Sequence, residues 1–182
     1  MKKLFIILSA LAFSACAFAN DPNEKKIVYN KVKSYANLVS CYHSFENNTK
    51  NKTTLSDVIL VEKNSHSTHY YVLWHGDWGC YGGSGSGGSY ITHIYKRHYS
   101  EQFYITNDYA FGEIGINYKF IESLKKISKD EFILVSWDFA DEKFGGVDGG
   151  GNIPANKFEY TIELDGDDGW QITNKKLLEQ RQ

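Results

Sequence analysis

Apolar residues change their spacing part-way along this 182-residue chain, and that change constrains the fold more than any other feature. From Val28 through Val32, Tyr35 and Val39 to Tyr42 they recur at alternating steps of four and three, which lines one face of a helix. Asp21 suits the N-cap, Pro22 takes the first helical position where its missing N–H costs nothing, and Glu24 follows the cap by three residues. The pattern predicts a helix from Pro22 to Phe45, with Leu38, Cys41 and Phe45 widening the stripe. Beyond the polar run of residues 47–54 the period becomes two. Val58 to Lys63 reads as a strand, as does Thr68 to His75, with Tyr70, Val72 and Trp74 on one face and His69, Tyr71, Leu73 and His75 on the other.

Further strands are expected at Tyr90 to Arg97, Phe103 to Thr106 and Phe132 to Phe139, with a last hairpin joining Lys157–Leu164 to Trp170–Thr173. Residues 118–128 fit both periods, and a hairpin with the next strand is the expectation. The tail from Lys175 reads as a frayed end or short helix. These elements predict an α+β fold: an N-terminal amphipathic helix packed on an antiparallel β-sheet of about seven or eight strands.

The first nineteen residues carry their own signal. Lys2 and Lys3 precede an apolar run from Leu4 to Phe13, and Ala17-Phe18-Ala19 places small residues where a signal peptidase reads. Residues 1–19 are thus expected to be a signal peptide, and 20–182 a single exported globular domain in the periplasm. The apolar run is shorter than the roughly 20 residues that span a bilayer, so no transmembrane segment is expected. An alternative places cleavage before Cys16 and gives an outer-membrane lipoprotein anchored there. Either way Cys41 and Cys80 are left as a pair, expected to form one disulfide in an oxidising compartment. Such a link would stabilise the fold by roughly 4 kcal/mol in the chain-entropy account.

Loss of Lys2 and Lys3 leaves 18 basic residues against 22 acidic ones, a formal charge of -4. With no basic stripe, nucleic-acid binding is disfavoured. Seven of the 16 glycines fall between Gly76 and Gly88, in a segment that also holds Trp74, His75, Asp77, Trp78, Tyr81, Ser84, Ser86 and Tyr90. Gly83, Gly85 and Gly88 satisfy G-x-G-x-x-G in form only, because a strand follows where a dinucleotide site needs a helix. No serine there has glycine two residues before and two after, which excludes a nucleophile elbow. What remains is a glycine-rich loop with aromatic anchors, rooted at Cys80, of a kind suited to contact a partner. A second candidate surface is acidic, formed by Asp138, Asp141, Glu142 and Asp148. Its spacing fails a calcium loop, since Gly150 and Ile153 stand where a carboxylate and a glycine belong.

All six histidines lie between His43 and His98. His66 and His69 have a ligand-like spacing, whereas His69 and His75 on one strand would lie about 20 Å apart, too far to share an ion. The expectation is therefore a non-catalytic periplasmic binding protein of inhibitor or immunity type, with no cofactor or metal, that engages an envelope protein through the Gly/aromatic loop. An envelope-acting hydrolase using His75, Asp77 or the acidic loop, and a periplasmic metal-binding protein using the histidines, are the alternatives.

Overall fold

The structure is a computed structural model that describes residues 21–46, 51–83 and 86–181; the expected signal peptide with Cys16, and Ser84, lie outside them. Helix α1 (Pro22–Val39) starts as expected, with Asp21 Oδ1 accepting the Asn23 N–H at 2.9 Å. Glu24 does not turn back to the cap. It points inward and accepts from Lys63 Nζ and Lys96 Nζ, each at 2.9 Å, and from the Tyr70 hydroxyl at 3.0 Å. Burial alone would raise the Glu24 pKa, but these three hydrogen bonds win and hold it lowered. This contact pins the first turn of the helix to the sheet.

The helix ends earlier than its apolar spacing suggests. Residues Ser40–His43 form strand β1, antiparallel to β3 (Ser67–Trp78), with Ser40 opposite Trp78 and His43 opposite Gly76. Here the backbone pairs with a neighbouring strand, from Gly79 N–H to Val39 O at 2.7 Å and from Ser44 N–H to His75 O at 2.8 Å, and sheet pairing overrides the helical pattern. Gly76 makes the close approach feasible, since a Cβ there would stand 2.9 Å from Tyr42 O and 2.7 Å from the Trp74 ring. Leu38 and Tyr42, expected on the buried stripe, are exposed; the buried apolar helix positions are Val28, Val32 and Ala36. Cys41 accordingly sits on a strand, not at a helix end.

Strands β2 (Val58–Lys63), β4 (Gly88–Arg97) and β5 (Tyr104–Asn107) complete a five-stranded antiparallel sheet with β1 and β3. A second, four-stranded antiparallel sheet runs β6 (Ile121–Lys126), β7 (Glu131–Asp138), β8 (Asn156–Asp165) and β9 (Gly169–Gln180) in order. The expected hairpin after residue 118 is thus β6–β7. The tail from Lys175 belongs to β9, paired with β8 as far as Gln180 opposite Asn156.

Among the described residues, nine strands in two sheets replace the expected single sheet of seven or eight. The reason lies in β3, which is apolar on both faces. Tyr70, Val72 and Trp74 pack with Ile94 against the buried face of α1, while Tyr71, Leu73 and Ile91 point the other way. One helix covers one face only; the other is closed by Phe132, Leu134, Phe158, Tyr160 and Ile162 of the second sheet, with Phe111 and Ile116 from the connection. The layers therefore run helix, sheet, sheet, and β3–β4 is the central hairpin. Cys41 and Cys80 are bonded, with Cα atoms 5.1 Å apart, and join β1 to the turn that leaves β3. Among the described residues no helix is long and apolar enough to cross a membrane.

Candidate functional site

Candidate residues gather at the two ends of the β3–β4 hairpin, roughly 35 Å apart at about 3.3 Å per residue. At the loop end the aromatic residues divide. Trp74 is wholly buried, stacks on the buried Tyr90 at 4.5 Å, and donates from Nε1 to Thr92 Oγ1 at 2.8 Å. Thr92 passes its own proton to Asp108 Oδ1 at 2.6 Å, while Tyr35 donates to Asp108 Oδ2 at 2.5 Å. Trp74 and Tyr90 are therefore core residues beneath the loop. Trp78 and Tyr81 are exposed by 44% and 80%, and exposed Leu38 and Tyr42 lie on the segment that the disulfide holds beside them.

The backbone that carries Tyr81 is constrained. Gly79, Cys80, Gly82 and Gly83 all have positive φ, and Cys80 at 58° is the one such non-glycine among the described residues. A Cβ on Gly79 would meet the Tyr81 ring at 2.7 Å, so the glycine lets that ring fold back over the turn. Asp77 Oδ2 accepts the Gly82 N–H at 3.1 Å and Ser86 donates to Gly83 O at 2.9 Å, so both shape the loop. Asp77 Oδ1 is buried with no partner among the described residues. His75 faces the second sheet instead, with Nδ1 2.9 Å from Ser89 Oγ; Ser89 is buried and reaches Ile121 O at 3.4 Å. Burial lowers the His75 pKa, and the ring lines a small cavity of about 140 Å³ with Thr53, Asp57 and Glu122.

The acidic surface is largely tied to itself. Asp141 Oδ1 accepts the N–H groups of Lys143 at 3.0 Å and Phe144 at 2.7 Å, and the Phe144 bond leads the causes that lower its pKa. Asp148 accepts the Ala140 N–H at 3.1 Å, and Asp138 that of Phe139 at 2.9 Å. Lys175 lies 3.6 Å from Asp138 and 3.5 Å from Asp141, with its ammonium 3.9 Å from the centre of the Phe158 ring. Glu142 and Asp148 are exposed, whereas Asp138 and Asp141 are half-buried.

The opposite end holds a site that the sequence pattern does not single out. Ser67 and His69 share a face of β3, and across the sheet Ser67 stands opposite Arg97 and His69 opposite Tyr95. Ser67 Oγ lies 2.8 Å from His69 Nε2, His69 Nδ1 lies 3.0 Å from His93 Nε2, and His93 Nδ1 lies 2.7 Å from Thr106 Oγ1. Thr106 also bonds the His93 carbonyl at 3.2 Å. A threonine has one proton, and giving it to that carbonyl makes His93 Nδ1 the donor toward Thr106. His93 Nε2 must then accept from His69 Nδ1–H, which leaves the His69 Nε2 lone pair facing the Ser67 hydroxyl. Every proton in the row finds an acceptor in this arrangement. Burial, with His69 alongside, pushes His93 down to about 4, and burial lowers His69 too. Both rings are neutral near pH 7.

Ser67 and His69 open onto a pocket of about 570 Å³ lined also by Ser65, His66, Tyr95, Arg97, His98 and Tyr99. Among the described residues no group of three or more His, Cys, Asp or Glu side chains is placed to hold a metal ion. The alternation of Ser67 with His69 is visible in the sequence, but the pairing of His69 with His93 depends on strand register. No protein-family model matches the chain, and no curated protein or solved structure is significantly similar to it.

Proposed function

We propose that the chain is an exported binding protein of inhibitor or immunity type, which engages a protein of the cell envelope through the β3–β4 loop. The observation that carries this reading is the pair of exposed aromatic side chains, Trp78 and Tyr81, on a turn covalently tied to β1 through Cys80. Trp and Tyr are enriched among the few residues that carry most of the binding energy at protein interfaces, and a loop fixed before contact loses little entropy on binding. The disulfide suits an oxidising compartment, in keeping with periplasmic export, with lipidation at Cys16 as the alternative route to the same compartment.

Capture from an envelope extract tests this reading. The expected result is one partner retained in a stoichiometric complex by the folded, oxidised protein. Absence of any such partner, together with turnover of peptidoglycan, would contradict it.

A further inference from the structure

We propose that Ser67 is an acyl-accepting nucleophile activated by His69, with His93 as a positioning residue, and that the pocket at this end of β3 hydrolyses small O-acyl esters. Two histidines of β3 each meet a serine, His69 with Ser67 on the same strand and His75 with Ser89 on β4, and their surroundings differ. Ser89, bonded to His75, is buried between the sheets and beside the carbonyl oxygens of Lys119 and Ile121, so no substrate reaches it. Ser67 is half-buried at the wall of the 570 Å³ pocket, and its hydroxyl proton is aimed at an imidazole lone pair.

The row of hydrogen bonds performs the tasks a nucleophilic site requires. Thr106 and the His93 carbonyl hold one tautomer of His93, and His93 Nε2 accepts from His69 Nδ1–H, which keeps Nε2 of His69 unprotonated and directed at Ser67. The other groups facing the two rings are Glu62, opposite His69 on β2, Tyr95, stacked on His69, and Tyr71, edge-on to His93. Arg97 lies directly across from Ser67, where cross-strand Cβ atoms are about 5 Å apart; its guanidinium donates to the Tyr99 hydroxyl at the pocket wall and is the cation available to a developing oxyanion.

Ser67 Oγ attacks the ester carbonyl carbon as its proton passes to His69 Nε2. Collapse of the tetrahedral species breaks the bond to the alcohol oxygen, which leaves with that proton. Water then attacks the acyl-serine and gives a proton to His69 Nε2, and the acid departs as His69 passes that proton on to Ser67 Oγ. The sum is ester plus water to acid plus alcohol. Ser65, His66 and His98 offer polar contacts to the alcohol part, and Tyr95 and Tyr99 flat walls, so a small polyhydroxylic alcohol fits.

A fluorophosphonate and 4-nitrophenyl acetate are the probes. The expected results are one fluorophosphonate adduct per chain, mapped by mass spectrometry to Ser67, and a burst of nitrophenolate equal to the chain concentration. His69→Ala should slow adduct formation at least 100-fold. His93→Phe, which keeps a ring but no acceptor, should slow it about 10-fold and shift its pH profile, whereas His93→Gln, which restores an acceptor, should recover most of the rate. An adduct elsewhere, no adduct on the folded wild-type protein, or an unchanged rate in a folded His69→Ala variant would overturn the proposal. Failure here leaves the loop reading intact, since capture of a partner does not involve Ser67.

Discussion

The two ends of the β3–β4 hairpin are built from the same strands but held by different means. At the loop end, large apolar side chains and a covalent bond do the holding: Trp74 and Tyr90 fill the core beneath, the disulfide ties the turn to β1, and Trp78 and Tyr81 are left in solvent. At the other end the exposed face is ordered by a directed row of hydrogen bonds from Ser67 to Thr106. The difference teaches that exposed surface and prepared chemistry have separate structural origins. A surface for a partner needs rigid support below and apolar atoms above, while a reactive hydroxyl needs fixed proton positions beside an open pocket.

Substitutions along this hairpin sharpen that contrast, beginning with the largest effect. Trp74→Ala removes a fully buried indole together with its bond to Thr92, and should cost about 3–5 kcal/mol in urea unfolding. Trp78→Ala, four residues on, should cost far less; equal losses would break the division between core and surface. Replacing Cys41 and Cys80 together by Ser should lower stability by about 2–4 kcal/mol, seen as a drop in Tm, while leaving Ser67 as reactive as before.

A smaller effect reads out the histidine end alone. Burial pushes the His93 imidazole from its ordinary 6.5 down to about 4 in the fold, so as pH falls below 6.5 the unfolded chain takes up the proton first and stability drops until about pH 4. After allowance for solvent screening this loss should be about 1–2 kcal/mol. His93→Gln should reduce that slope in a pH series of unfolding curves, leaving the part due to His69 and His75, whose pKa values burial also lowers. Tyr81→Ala should change stability least, within about 0.5 kcal/mol, because its ring contacts little beyond the turn.

Much of this architecture was legible in the spacing of apolar residues, and the parts that were not share a cause. The start of α1 and the two faces of β3 follow from local chemistry, namely Asp21 and Pro22 at a cap and strict alternation from His69 to His75. The end of the helix does not, because Ser40–His43 leaves it to pair with Gly76 and Trp78, residues more than thirty positions away. The second sheet was implied by the apolar character of both β3 faces, yet a list of strands does not say where one sheet stops. Trp74 and Trp78 look alike in the sequence; what separates them is the helix face and Tyr90 that close over Trp74 alone. Likewise Ser67 and His69 stood in view, but His93 joins them only through the register of β3 with β4.

Whether partner binding resides at the loop end and not at the histidine end is read by titrating the captured partner against three oxidised proteins. Relative to the wild type, Trp78→Ala with Tyr81→Ala should weaken binding at least 100-fold, and Ser67→Ala should bind unchanged. Unaltered affinity in the double variant, or its loss in Ser67→Ala, would contradict the account.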